Sequence, residues 1–453
     1  MKLFASLIVC IATLFIPINA RSAVLDIAGE KHTSIGIYIY DLKADTVVFQ
    51  NDADRNLVPA SITKAITSAS ALRILGKKYR FRTRVRLEGC FDGDSSFSGI
   101  IHVLSSGDPT LESAYFTNKQ GFADSIASNI KKAGIKHIKG FISVDERPFN
   151  DGPIAQWEIE DVAWAYGAGI YQFNYKDNIF KYNIALKKCQ PEVPGMDIVI
   201  RQDRNGLDLM RGVGSRTLYV ATPDVRKGSF TSTVPCPAEV FKNELAIRLS
   251  EESIHLDLQT SDFKFDRNGI IDVYTHVSPS LPEILKSLMF RSDNMFAEGI
   301  LRAMSAESSR NAAIAREKKL WENHGLETEF VSLVDGSGLA RSNRFSAKFI
   351  GSVLENMARS GDADLYSSFF PRVGKEGTVR SFLKDTEFSG RLALKTGSMN
   401  GVQCYAGYAF DDNNKPSHVV VIMINSFFCK RAELREAVRD MLLDKLHLTT
   451  EDN

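Results

Sequence analysis

The chain has 453 residues, 44% hydrophobic and 25% charged. That length exceeds a comfortable single core, so two or three domains are expected, with the composition of a folded globular protein. Its 56 Lys and Arg nearly cancel 55 Asp and Glu, leaving a formal net charge of +1, which excludes a global basic field for nucleic acid and any charged tail.

Met1-Lys2 is followed by an apolar run from Leu3 to Ile16, then Pro17 and a small residue, Ala20. The run is too short to span a bilayer, so residues 1–20 read as a secretory signal cleaved near Ala20, with an uncleaved anchor as the alternative. Val9 is too bulky for a good lipidation site before Cys10. The mature chain is expected to be exported, to the periplasm. Later apolar runs such as Val419–Ile424 have only strand length, which leaves at most peripheral membrane association. Cys90, Cys189, Cys236, Cys404 and Cys429 remain. Five is odd, so at least one has no partner within the chain. No Cys/His spacing resembles a zinc site, and no metal or cofactor is expected.

Ser34–Tyr40 and Thr46–Gln50 read as a hairpin around an Asp41–Asp45 turn. Pro59-Ala60-Ser61 opens a helix to about Leu75, with Ile62, Ala65, Ile66, Ala69 and Leu72 on one face and Gly76 ending it. From Phe81 the texture changes to short β-rich segments: Phe81–Leu87, Gly99–Leu104, Gly140–Val144, Asp197–Ile200 and Thr217–Ala221. Helical stretches fall at Gly121–Ala133 and near Ala163. Helical periodicity returns at Pro282–Phe290, Asn294–Met304, Ala312–Asn323 and Ala347–Arg359. Strands at Leu392–Lys395, Cys404–Phe410 and His418–Ile424 and a helix from Arg431 to about Leu446 close the chain. The simplest account is one α/β domain in two pieces, 24–82 and 266–453, split by a β-rich insertion, 83–265, of one or two domains.

Three segments carry chemistry. Ser61-Ile62-Thr63-Lys64 puts a lysine one helical turn from a serine, on the same face. The helix start offers backbone N–H groups and a positive partial charge. A serine hydroxyl needs a base to be a nucleophile. Lys64 is that base only if neutral, and burial and a second cation, Lys395, would both push its pKa down. Ser-x-x-Lys recurs at Ser128–Lys131, Ser261–Lys264 and Ser381–Lys384, where exposed side chains are the simpler reading. Ser292-Asp293-Asn294 lies between two helices. Ser292 can relay a proton and Asn294 can hold Lys64 or a substrate amide, although for the triplet taken alone a helix N-cap, which needs only a Ser or Asp, is the simpler reading. Lys395-Thr396-Gly397-Ser398 ends a strand. Gly397 lets an extended peptide approach. Lys395, Thr396 and Ser398 supply a cation and two hydroxyls for a carboxylate, and the N–H groups of Ser61 and Ser398 can form an oxyanion hole.

The ordered set resembles the penicillin-recognising serine acyltransferases, and more narrowly the DacB-type D-alanyl-D-alanine carboxypeptidase/endopeptidase family (class C low-molecular-mass penicillin-binding proteins, peptidase family S13). Ser106-Gly107-Asp108-Pro109-Thr110-Leu111, Asp335-Gly336-Ser337-Gly338-Leu339 with Arg341 and Asn343, and the long gap between Ser61 and Ser292 carry the narrower match. The resemblance implies an α+β fold: a transpeptidase/β-lactamase-like domain with an antiparallel sheet flanked by helices. It implies Ser61 as acylated nucleophile, Lys64 as base, Ser292 and Asn294 as relay and support, and Lys395, Thr396, Gly397 and Ser398 around the carboxylate of a D-Ala-D-Ala peptide. In this family an insertion Asp can contact the amino group of the stem-peptide diamino acid; Asp145 is the candidate. Peptidoglycan peptides are the expected partners and β-lactam antibiotics the expected inhibitors. A serine β-lactamase and a non-catalytic wall-binding scaffold are the competing readings. The first lacks a Glu-centred deacylation motif, and the second has no use for a neutral lysine beside a serine.

Overall fold

The hairpin at the start of the chain forms as its pattern requires. In β1 (Ser34–Asp41) Ile35, Ile37 and Ile39 alternate with Gly36 and Tyr38, so each set faces one side of a sheet. Asp41 accepts from the amides of Lys43 and Ala44 at 2.8 Å each and turns the chain into β2 (Thr46–Asn51). β14 (Leu392–Met399), β15 (Val402–Phe410) and β16 (Pro416–Asn425) complete an antiparallel sheet in the order β14-β15-β16-β1-β2. The computed structural model describes residues 24–116, 121–145, 152–201, 208–221, 228–306 and 309–446; the expected signal segment, 1–20, lies outside them.

Both faces of this sheet are covered. Ile35, Ile37 and Ile39 join Val420, Ile422 and Ile424 against Leu434, Val438 and Leu442 of the C-terminal helix, α9 (Arg431–Lys445). Tyr38, Val419, Val421 and Met423 face the main helical core. At the centre of that core lies α1 (Thr63–Leu75), preceded by a single 3-10 turn over Ala60–Ile62. Every residue of α1 from Thr63 to Leu72 is buried, so the one-sided apolar face read from the sequence is a minimum. Small residues let neighbours close around it. Ser70 and the Ala65 carbonyl find partners inside: the Trp321 indole donates to Ser70 Oγ at 2.9 Å, Ser70 Oγ to Glu317 at 2.7 Å, and Tyr366 OH to the Ala65 carbonyl at 2.8 Å. α4 (Leu281–Arg291), α5 (Asn294–Ala303), α6 (Arg310–Asn323) and α7 (Ala347–Ala358) occupy the predicted segments.

The insertion builds its own sheet. β3 (Arg82–Phe91), β4 (Ser96–Leu104), β5 (His137–Val144), β12 (His255–Leu258) and β13 (Gly269–Val277) run in the order β12-β5-β4-β3-β13. α2 (Phe122–Lys132) and α3 (Pro237–Glu251) pack on it through Phe122, Ile126, Phe241 and Leu245. Two smaller sheets join strands between Ile179 and Thr233. Three expectations change here. β13 pairs with β3 from Gly269 to Val277, so the inserted sheet runs past the boundary expected near 266. Residues 237–251, where no helix is expected from the sequence, form α3, whose Phe241, Leu245 and Leu249 repeat every fourth residue on one buried face. The helix expected near Ala163 is instead two 3-10 turns, Ile159–Asp161 and Ala165–Gly167.

Candidate active site

Ser61 sits in the 3-10 turn ahead of α1, held by an unusual backbone. Ala60 has φ +48°, a left-handed conformation that costs of order 1–3 kcal/mol and is kept by its surroundings. Thr63 Oγ1 donates to the Ala60 carbonyl at 2.8 Å. Gly338, itself at φ +77°, packs on the same carbonyl so closely that an added Cβ would lie 1.9 Å from it; only glycine fits.

Lys64 is fully buried beneath Ser61. Its Nζ is 2.9 Å from Ser61 Oγ, 2.6 Å from Asn294 Oδ1 and 2.6 Å from the Ser337 carbonyl. A protonated amine donates to all three oxygens, and loss of its proton reverses only the bond to Ser61. A neutral amine has two N–H groups and one lone pair. The two obligate acceptors, Asn294 Oδ1 and Ser337 C=O, take the N–H groups, and the lone pair faces the Ser61 hydroxyl, which donates to it. Burial pulls the Lys64 amine down to about 8, opposed by the charges of Asp335, Glu298 and Asp293. Lys395, also fully buried, is held well below the usual lysine range by burial and then by the Lys64 charge. Burial is the larger cause for both amines, and their mutual repulsion disfavours both carrying a charge at once.

Ser292 is the left-handed C-cap of α4, φ +61°, and accepts from Lys395 Nζ at 2.8 Å. Asp293 caps α5 through the Phe296 amide at 3.0 Å. The capping role and contact with both buried lysines thus coexist in one triplet, with Asn294 as the first residue of α5. Asn294 Nδ2 donates to the Tyr166 carbonyl of the insertion at 2.8 Å, which turns Oδ1 toward Lys64.

β14 closes the site. A Cβ on Gly397 would lie 2.6 Å from the Pro59 carbonyl oxygen and 3.0 Å from the Ser61 nitrogen, so this strand passes directly over the nucleophile's amide. A cleft of about 400 Å³ opens there. Ser61, Ser292 and Asn294 line it, with Ser398, Met399 and Asn400 on one side and Gly338, Leu339 and Arg341 on another. The insertion supplies Glu158, Glu160, Asp161 and Tyr166. Thr396 lies outside this lining, its Oγ1 2.8 Å from that of Thr378. Asp145, at the end of β5, is also not among the lining residues; its amide pairs with the Val103 carbonyl. The acids that do reach the cleft come from Glu158-Ile159-Glu160-Asp161, three acids in four positions, a signal the sequence held. Two contacts bring that segment in: Trp157 Nε1 donates to Asp335 Oδ2 at 2.9 Å, and Glu158 pairs with Arg341 at 2.7 Å.

A serine paired with a buried lysine, a Ser/Asn pair touching both lysines and a glycine strand over the serine's amide together match the arrangement of serine–lysine acyl-transfer enzymes of the penicillin-recognising fold. The D-Ala-D-Ala carboxypeptidase 3 (S13) family model matches residues 21–444, and the chain belongs to that family. It is similar to the D-alanyl-D-alanine carboxypeptidase of Actinomadura sp. strain R39, 24% identical over 408 residues, 82% of this chain and 74% of that protein. Its fold is similar to that of penicillin binding protein 4 (dacB) from Haemophilus influenzae, with a TM-score of 0.75 and 22% identity, covering 91% of this chain and 96% of that one. A penicillin G-acylated predatory endopeptidase from Bdellovibrio bacteriovorus is more distant, with a TM-score of 0.51 and 16% identity over 93% of this chain and 95% of its own. The family and fold expected from the motifs are both borne out.

Proposed function

We propose that this chain is a serine D-Ala-D-Ala carboxypeptidase that works through an acyl-enzyme on Ser61. The single observation that carries this reading is the set of hydrogen bonds made by Lys64: once the amine is neutral, Asn294 Oδ1 and the Ser337 carbonyl keep its two N–H groups and its lone pair faces the Ser61 hydroxyl. As Ser61 Oγ attacks the carbonyl carbon of the penultimate D-Ala, its proton passes to Lys64 Nζ. The developing oxyanion lies between the N–H groups of Ser61 and Ser398. Collapse breaks the peptide bond and D-Ala leaves, its nitrogen taking a proton relayed from Lys64 through Ser292. Water then cleaves the ester with Lys64 again as base. Lys395, Thr396 and Ser398 receive the substrate's terminal carboxylate. That anion favours the charged form of Lys395, offsetting the burial that holds its pKa down.

Peptidoglycan stem peptides fit this chemistry, and a β-lactam, which presents a strained amide to the same serine, would acylate it and stay. The acids Glu158, Glu160 and Asp161 with Arg341 suit a charged diamino acid side chain better than Asp145 does. Among the described residues no helix is long and apolar enough to cross a membrane. An exported, periplasmic enzyme with residues 1–20 removed is the reading that fits a cell-wall substrate. We divide the chain into a catalytic unit, 24–81 and 278–446, and an insertion, 82–277, following the strand pairing of β13.

The test is release of D-Ala from a peptide ending in D-Ala-D-Ala by the wild type and by Ser61→Ala. The wild type is expected to release D-Ala and the variant to release none. Release by the variant at the wild-type rate would remove Ser61 from the mechanism.

A further inference from the structure

Helix α5 reaches Lys64 twice. Asn294 does so directly. One turn further on, Glu298 lies on the same face, fully buried. Its Oε1 accepts from the amides of Gly336 at 3.0 Å and Ser337 at 2.8 Å. The next amide, Gly338 N–H, donates to Asp335 Oδ1 at 2.8 Å, and Thr67 Oγ1 donates to the Gly336 carbonyl at 2.8 Å. The Ser337–Gly338 peptide is thus pinned before and after its carbonyl, and that carbonyl is the one that accepts from Lys64.

We propose that Glu298 is a positioning residue for Lys64: it clamps the Gly336–Ser337 amides so that the Ser337 carbonyl holds one lysine N–H, and its carboxyl sets the charge against which Lys64 gives up its proton. This rests on Lys64 being the base. Hydrogen bonding alone does not call for an acid, because a glutamine oxygen would accept from both amides equally well. The second carboxyl oxygen, Oε2, has no hydrogen-bond partner among the described residues, a costly state for a buried polar atom. Arg302 faces Glu298 from its own helix and Asp335 from the loop. Lys64 in turn faces Glu298, Asp335 and Asp293, with Lys395 on β14 beyond. Burial pushes the Glu298 carboxyl up to about 7, close to the range of Lys64, so the two groups change charge over neighbouring pH values.

The test follows acylation of the full chain by a fluorescent penicillin from pH 5 to 10, resolving the acylation rate constant from the preceding binding constant. Glu298→Gln keeps the clamp and removes the charge. Its limiting rate is expected within about threefold of wild type, with the rising limb displaced to lower pH by roughly half a unit or more, since loss of a nearby anion lowers the lysine pKa. Glu298→Ala loses the clamp, and its acylation is expected to slow by about tenfold or more at every pH, with binding little changed. Should Glu298→Ala not fold, the glutamine limb decides. Acylation of Glu298→Ala within twofold of wild type, or a glutamine profile superimposed on wild type, overturns the proposal. Lys64→Met is the control. If it acylates like wild type, the reading of Lys64 as base fails, whatever the Glu298 variants do.

Discussion

Gly397→Ala tests the closeness of β14 to the nucleophile. Gly397 does not have a positive φ, so alanine pays no backbone penalty and the effect is purely steric. The new methyl would meet the Pro59 oxygen at 2.6 Å, the Ser61 nitrogen at 3.0 Å and the Ile62 nitrogen at 3.1 Å. Relaxing these to ordinary contact requires the strand and the Ser61 turn to part by roughly 0.5–0.8 Å. All three contacts are backbone, so no side chain can rotate away. Overpacking on this scale costs about 1–3 kcal/mol of stability. The same displacement moves the Ser398 amide away from the Ser61 amide, and misplacement approaching 1 Å costs on the order of 10–100-fold in rate. The assay is penicillin acylation kinetics beside a thermal melt. Acylation within twofold of wild type at an unchanged melting temperature would refute the close passage of β14 over Ser61.

The pH dependence follows from Lys64. Neutral amine is the active form, so acylation rises with pH and levels above the Lys64 pKa of about 8. Near pH 7 about a tenth of the lysine is neutral, against roughly one in three thousand at the ordinary value. A rate independent of pH from 6 to 9 would contradict this. The linked stability has the opposite sense to a salt bridge: the folded pKa lies below the unfolded one, so burial of Lys64 destabilises the fold below about pH 8. That cost is relieved as pH rises toward the unfolded value, because the unfolded chain binds more protons there. Lys395→Ala should weaken turnover of peptides with a free C-terminal carboxylate far more than their amides; equal loss for both would remove its carboxylate role. Asp335→Ala orphans the amides of Gly338 and Ala340 and the Trp157 indole, and leaves the Asn343 side-chain amide only its bond to the Ala340 carbonyl. A loss of about 3 kcal/mol or more is expected in denaturant unfolding, and less than 1 kcal/mol would show these bonds to be dispensable.

Much of the site was legible because its parts are local. Ser61 and Lys64 are one turn apart, and Asp293-Asn294 starts a helix, so spacing alone predicts their geometry. The strand carrying Lys395 to Ser398 was readable from its apolar approach, Leu392 to Leu394. What was not legible depends on contacts far apart in sequence. Trp157 meets Asp335 across 178 positions, and this tie carries Glu158, Glu160 and Asp161 to the cleft while Asp145 stays at the end of β5. No local pattern encodes that choice, because the segment has no regular structure longer than a 3-10 turn. β13 was not among the strands legible in the sequence for a related reason: its partner, β3, lies nearly two hundred residues earlier, and no local pattern encodes that pairing. The causes of the lysine shifts were half legible. A second cation beside Lys64 was foreseeable, but the buried acids Asp335, Glu298 and Asp293, which oppose the lowering of Lys64, come from distant segments and were not.

Covalent labelling mapped to a residue tests the central claim most directly. The full chain is incubated with a penicillin, digested, and the adduct located by mass spectrometry. One penicilloyl group on Ser61, persisting for minutes or longer and absent from Ser61→Ala, is the predicted result. An adduct on another serine, or the same adduct in the variant, would contradict the account.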